Sequence, residues 1–226
     1  MVEFGATVDP VTHDHVIGLA EALRALDIPG VLETVPTFRS LMIHYDPLVL
    51  DRRTLVAKIG SVQPRLQSRA KPRNLWTIPC CYERPFGEDL SEVAGIMNLS
   101  AEQVVGLHSG ATFRAYMYGF APGFCYLGGL PEKLAISRRP MPRAPHPQNA
   151  VLIAGGLSLI GTFSMPTGWW VIGRTPVRLF SPSRSPNFLI EVGDSVRFAP
   201  IDKNEFQFLE EKAVAGHSVA GCEKLR

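Results

Sequence analysis

The amino-acid sequence predicts a small α+β module followed by an all-β barrel, and three observations carry that expectation. Strand and helix periodicities alternate over roughly the first 80 residues in a β-α-β-β-α-β order. Two short helical stretches follow, with apolar residues at helical spacing. From residue 111 onward, short apolar runs are punctuated by Gly and Pro, the pattern of many short strands closing on one another.

The first strand rests on Val2, Phe4, Ala6 and Val8, which recur with a period of two. Thr12 or Asp14 is placed to cap a helix bearing Val16, Leu19, Ala20, Leu23 and Leu26, and Pro29–Gly30 ends it. Extended runs at 31–36 and 39–45 lie close enough to form a hairpin. Asp51 can cap a second helix through Leu55, Ile59 and Val62. Residues 64–74 read as a basic, proline-bearing loop, and 75–82 as a last strand. This order is the split βαβ, or ferredoxin-like, arrangement, which would place two helices on one face of a four-stranded sheet.

Beyond it, Leu90, Val93, Ala94 and Met97 mark one helix, and Ser100–Gln103 opens another with the spacing of a capping box. His108 falls in that helix's last turn, where the dipole favours a cation; this structural role and a functional one both remain open. Strands are expected at 111–118, 150–154, 169–174, 177–180, 188–190 and 195–200, with Gly193–Asp194 as a tight turn. The expected division is a ferredoxin-like domain at 1–84, a helical lead-in and barrel at 85–203, and a flexible tail at 204–226.

Composition narrows the function. A hydrophobic fraction of 46% with 12 Phe and 3 Trp supplies a globular core, so disorder is not expected. No apolar run approaches the ~20 residues of a membrane span. The start MVEFGATVDP lacks a basic region and an apolar signal core, so the expected compartment is the cytoplasm. A net charge of +2 gives no electrostatic footprint for nucleic acid. The basic groups Arg65, Arg69, Lys71 and Arg73, and Arg138, Arg139 and Arg143, read first as solvated loops. Cys80, Cys81, Cys125 and Cys222 show no metal-ligand spacing and read as reduced structural thiols. Neither a G-x-x-x-x-G-K-S/T phosphate loop nor a dinucleotide fingerprint occurs, and no metal motif is present.

The most informative stretch is GFAPGFCYLGG at 119–129. Its glycines allow left-handed turns and close backbone approach, while Phe120, Phe124 and Tyr126 supply rigid walls. A crowded barrel corner and a binding cleft both fit.

Around it stand LHS at 107–109, YGFAPGF at 118–124, YLGG at 126–129, Pro142-Arg143, IAGG at 153–156, IGRTP at 172–176 and VGDSVRF at 192–198, with HYDP at 44–47. In this order and spacing they resemble the family of allophanate hydrolase subunit 1, KipI and the 5-oxoprolinase B-subunit, over roughly residues 4–202. The resemblance implies a cyclophilin-like barrel behind the α+β module. It also implies one component of an ATP-dependent amide or lactam hydrolase, most closely the opening of 5-oxoproline to glutamate. ATP would be used at the level of the complex. The implied partners are a second barrel protein, of the KipA or 5-oxoprolinase C-subunit type, and a lactam-utilisation protein. Two further activities occur in the family: inhibition of a sensor histidine kinase, as by KipI, and the carboxyltransferase part of urea carboxylase.

Phosphorylating a lactam oxygen makes the ring carbon electrophilic, which calls for cationic donors near the phosphoryl oxygens. Arg174 and Arg143 are the first candidates, with His108 beside them and Arg138 and Arg139 secondary; a salt bridge locking the strand end is the alternative for Arg174. The implied substrate-binding set is Phe120, Pro122, Gly123, Phe124, Tyr126, Gly155, Gly156 and Trp169. Where the family reads IAGGQTGIY, this chain has Leu157-Ser158-Leu159-Ile160-Gly161 after IAGG, which removes an amide and an aromatic hydroxyl. His146, Gln148 and Asn149 offer polar groups in another altered segment.

Overall fold

The computed structural model describes residues 1–62 and 73–225, and the chain divides into one unit of Met1–Lys71 and another of Pro72–Arg226. Most of the expected basic loop, with Arg65, Arg69 and Lys71, lies outside the described residues.

In the first unit, β1 (Val2–Glu3), β2 (Val31–Pro36) and β3 (Ser40–Tyr45) form an antiparallel sheet of order β1-β3-β2. Helix α1 (Pro10–Leu26) starts one turn before the expected cap: Asp9 accepts from the Thr12 N–H at 2.9 Å, and Pro10 sits at a first-turn position where its missing N–H costs nothing. Asp27, in the left-handed region, ends it. Helix α2 (Arg52–Ser61) is capped by Asp51 as expected. Val16, Leu19 and Leu23 of α1 and Leu55 of α2 bury against Leu41 and Ile43 of β3.

The expected four-stranded ferredoxin-like sheet does not form, because its fourth strand belongs elsewhere. β4 (Asn74–Cys81) pairs in parallel with β12 (Ser195–Ile201) over seven residue pairs, from Ser195↔Leu75 to Ile201↔Cys81. Ile78, Cys80 and Cys81 are fully buried, so β4 has no solvent face to offer a half-exposed sheet.

The second unit is a closed barrel. After helices α3 (Leu90–Met97) and α4 (Ala101–Ser109) come β5 (Phe113–Tyr118), β6 (Cys125–Gly128), β7 (Arg143–His146), β8 (Ala150–Ala154), β9 (Leu157–Gly161), β10 (Met165–Thr167) and β11 (Trp170–Arg174). The ring runs β11-β8-β9-β6-β5-β12-β4 and is closed by the Arg174↔Cys81 pair between β11 and β4. β7 and β10 form a separate two-stranded ribbon. Along each strand, alternate residues enter two different clusters. Cys125, Leu127, Val151, Ile153, Ile160, Trp170 and Ile172 fill the inside, joined by Val93 and Val104 of the two helices. Phe124, Ala150, Leu152, Leu159, Trp169 and Val171 form a second apolar layer on the outside, with Tyr126, Leu157 and Met165 against it.

Segments 177–180 and 188–190, expected as strands, contribute only a single bridge between Phe180 and Phe188. The expected flexible tail instead carries α5 (Lys203–Val214) and β13 (Gly221–Lys224). Asp202 caps α5, Phe206 and Ala213 are buried on one of its faces, and β13 adds to the edge of β4. Among the described residues no helix is long and apolar enough to cross a membrane.

Candidate functional site on the outer face of the barrel

The β5–β6 connection, residues 119–124, presents the predicted aromatic loop. The Gly119 N–H donates to the Phe124 carbonyl at 3.2 Å, and the Phe124 N–H to the Ala121 carbonyl at 3.1 Å, which closes the loop on itself. Thr162 Oγ1 donates to the Pro122 carbonyl at 2.5 Å and pins it to the barrel. Gly123 has a φ of 80°, and a Cβ there would lie 2.6 Å from Cβ of Phe180, so only glycine fits. Phe120 is held at a φ of 72° and is 83% exposed, so most of its ring is displayed to solvent. With Tyr118 and Phe188 it borders an open aromatic cleft of about 280 Å3. Phe124 is buried in the outer layer and meets the Phe120 ring edge to face, with centroids 5.8 Å apart.

Farther along that layer, Tyr126 meets Trp169 edge to face, with ring centroids 6.0 Å apart. The Arg138 guanidinium lies 5.5 Å from the centroid of Trp169. Burial raises the Tyr126 phenol's pKa and the positive charge of Arg138 opposes that shift. Arg138 is exposed and makes no ion pair among the described residues. An unpaired cation above an indole, flanked by a phenol and by Leu157 and Met165, is suited to a small ligand with one flat face and one negative group.

The remaining predicted cations are committed to the scaffold. Arg143 Nη1 donates to Asp89 at 2.8 Å and Nη2 to Glu88; Arg139 reaches the other oxygen of Asp89 at 3.0 Å and Glu92 at 2.6 Å. Asp89 is buried and also accepts the Val171 N–H at 2.7 Å, so one carboxylate ties α3 to β11 and to both arginines. Arg174 donates to the Gln148 carbonyl at 2.9 Å and to Glu210 of α5 at 2.8 Å, which is the salt-bridge alternative for this residue. Its guanidinium also faces the ring of Phe206 at 5.2 Å.

His108 is fully buried inside the barrel, between Phe113 and Phe198. Its Nδ1 is 2.8 Å from the Tyr82 hydroxyl and its Nε2 is 3.1 Å from Ser158 Oγ, which in turn donates to the Leu152 carbonyl. That chain assigns the tautomer: Tyr82 donates to Nδ1, and Nε2–H donates to Ser158. Burial pushes the His108 pKa down to about 3, so the ring is a neutral core group, away from the outer face. Cys125 is likewise buried, its thiol pushed up to about 12 by burial, which leaves no thiolate for nucleophilic work. Gly155 and Gly156, both at positive φ, form the two-residue turn between paired Ala154 and Leu157, the geometry of a type I′ hairpin. His146 is buried with Nδ1 against the Pro147 carbonyl, and burial lowers its pKa.

The structure thus brings Tyr126, Trp169 and Arg138 together and sets Phe120, Pro122 and Gly123 at a neighbouring cleft, while His108 is buried inside the barrel and Arg143 and Arg174 are held in ion pairs. Two contributors are not marked by any motif: Phe188, whose aromatic pairing with Tyr118 at 4.7 Å is a long-range contact, and Asp89.

Comparison with known proteins agrees with the sequence resemblance. Residues 1–190 match the family model of the carboxyltransferase domain, subdomain C and D. The chain is 35% identical to the 5-oxoprolinase B-subunit of Bacillus subtilis (strain 168) over 94% of its own length and 93% of that protein. Among solved structures, TTHA0988 superposes with a TM-score of 0.79 at 36% identity; the match covers 89% of this chain but only 39% of that one. The Kluyveromyces lactis urea carboxylase superposes with a TM-score of 0.80 at 16% identity over 98% of this chain and 22% of that one, a likeness of fold alone. The chain belongs to the carboxyltransferase-domain family of subdomains C and D, alongside the B-subunits of 5-oxoprolinase.

Proposed function

We propose that this chain is a non-autonomous component of an ATP-dependent complex that opens a cyclic amide, with 5-oxoproline as the substrate. The observation that carries this reading is the near-full-length similarity to the 5-oxoprolinase B-subunit. A lactam that bears a carboxylate asks for a cation beside an apolar wall, and Arg138, Trp169 and Tyr126 supply both on one face. Arg138 takes the substrate carboxylate, a charge-assisted contact of the kind guanidinium geometry favours. Arg143 and Arg174 hold the scaffold from which that face is built. Phosphorylation of the lactam oxygen takes place with ATP bound at the level of the complex, in keeping with the absence of a Walker-type loop from this sequence. The exposed Phe120 ring docks on the second barrel protein, where burial would repay its display.

The test is reconstitution. The chain is co-purified with its cognate second barrel protein and a lactam-utilisation protein, and ADP release is followed with 5-oxoproline, urea and allophanate. Release that depends on 5-oxoproline supports the reading; no release with any of the three removes the enzymatic role. The exposed aromatic cleft also favours a second reading, a KipI-like inhibitor that grips a sensor histidine kinase. Kinase autophosphorylation that is unchanged by saturating protein eliminates it.

A further inference from the structure

We infer that a second cleft, between the 181–187 loop and the end of α5, binds a small phosphate-bearing anion. Its volume of about 400 Å3 falls in the range of small-molecule sites. Arg178, Arg184, His217, Ser181, Ser183 and Ser218 line it, and among the described residues no Asp or Glu does. Two guanidiniums, an imidazole and three hydroxyls form the donor set expected around phosphate oxygens.

Arg184 is the anchor. Its Nε donates to the Pro186 carbonyl, Nη1 to that of Arg178, and Nη2 to those of Leu179 and Asn187, at 2.6–3.2 Å. These bonds use four of its five N–H groups, and every acceptor is a neutral carbonyl. Among the described residues this half-buried guanidinium has carbonyl partners and no counter-charge, a lack that an incoming anion makes good. Burial pulls its pKa down, and the cause that opposes the shift is the phenol of Tyr118 rather than a carboxylate.

The rim is built in advance. Asn187 Nδ2 donates to the carbonyls of Ser181 and Pro182 at 3.2 and 3.0 Å, and the Ser181 and Ser183 hydroxyls are 3.0 Å apart. At the end of α5 the carbonyls of Glu211, Lys212 and Ala213 accept from the N–H groups of Ala215, His217 and Gly216, which fixes the chain that carries His217 and Ser218 into the cleft. Arg178 is exposed and its guanidinium has no partner among the described residues, so it can close over a bound ligand.

A phosphate group could arrive as inorganic phosphate or on a nucleotide, and the cleft reads the shared tetrahedral oxyanion. Titration calorimetry on the full chain, with inorganic phosphate, pyrophosphate and ATP each taken to about 10 mM, measures this at the weak limit of ligand affinity. One-to-one binding of at least one probe is expected, weakened about tenfold or more by Arg178→Ala and by Ser181→Ala. Arg53→Ala, an exposed change on α2, serves as the control and should leave it unchanged. Inorganic phosphate that competes with ATP shows that the phosphate itself is read; ATP binding that resists such competition but falls with Arg178→Ala identifies a nucleotide. No heat with any probe, or an affinity indifferent to both variants, overturns the inference.

Discussion

Lowering the pH should weaken the barrel through His108, well before its carboxylates protonate. The folded-state pKa of about 3 lies below the ordinary imidazole value of 6.5. Below pH 6.5 the unfolded chain takes up a proton that the folded chain refuses. The stabilisation is therefore complete above 6.5 and is lost as pH falls toward 3. Each pH unit in that window removes about 1.4 kcal/mol, and a drop from about pH 8 to about pH 4.5 removes about 2–3 kcal/mol. Urea unfolding followed by tryptophan fluorescence reads this unit specifically, because Trp76, Trp169 and Trp170 all lie within it. His108→Gln cannot titrate, so its stability should start lower yet stay flatter across the same range. His146, whose pKa is also lowered by burial, contributes equally to both proteins and cancels. Parallel loss of stability in wild type and variant would show that His108 is not the group responsible.

Asp89→Ala removes the acceptor for Arg139, Arg143 and the Val171 N–H together, leaving a buried donor and two arginines without that partner. Because the arginines are partly exposed, a loss of about 3 kcal/mol, at the low end for a broken buried pair, is expected in urea unfolding. Gly123→Ala should cost about 1–3 kcal/mol in thermal unfolding, since both the φ of 80° and the contact with Phe180 oppose a side chain. Phe120→Gly relieves a left-handed phenylalanine and removes only an exposed ring with one edge contact to Phe124, so the melting temperature should hold or rise. In the same variant, co-purification with the second barrel protein should drop; undiminished complex formation would remove Phe120 from the interface.

Local signals read well from the sequence where side chain and backbone decide the outcome together. The Ser100–Gln103 capping box is present in full, with reciprocal bonds of 3.2 and 2.8 Å. The β2–β3 hairpin, the Asp51 cap and strand β8 also fall where periodicity puts them. β4 joins a different sheet from the expected one, because the order of strands along a chain does not say which edge each will join. Its near-continuous apolar run, LWTIPCCY, is the sign of burial on both faces. α5 stands where a flexible tail is expected, although Phe206, Leu209 and Ala213 follow Asp202 at helical spacing; their acidic and basic neighbours mask the stripe. The aromatic loop is legible as a feature, but its split into an exposed Phe120 and a buried Phe124 depends on the closed barrel beneath. Which arginine stays unpaired is not legible from sequence, since Asp89 and Glu210 reach theirs across 54 and 36 residues.

The most direct test of the functional account is ADP release by the reconstituted complex, wild type against Arg138→Ala, across a range of 5-oxoproline concentrations. Lactam-dependent release is expected, with Arg138→Ala raising KM by about tenfold or more and the fold intact, the loss expected for one charge-assisted contact. Release without dependence on the lactam, or an unaltered KM in the variant, would remove Arg138 from the substrate site.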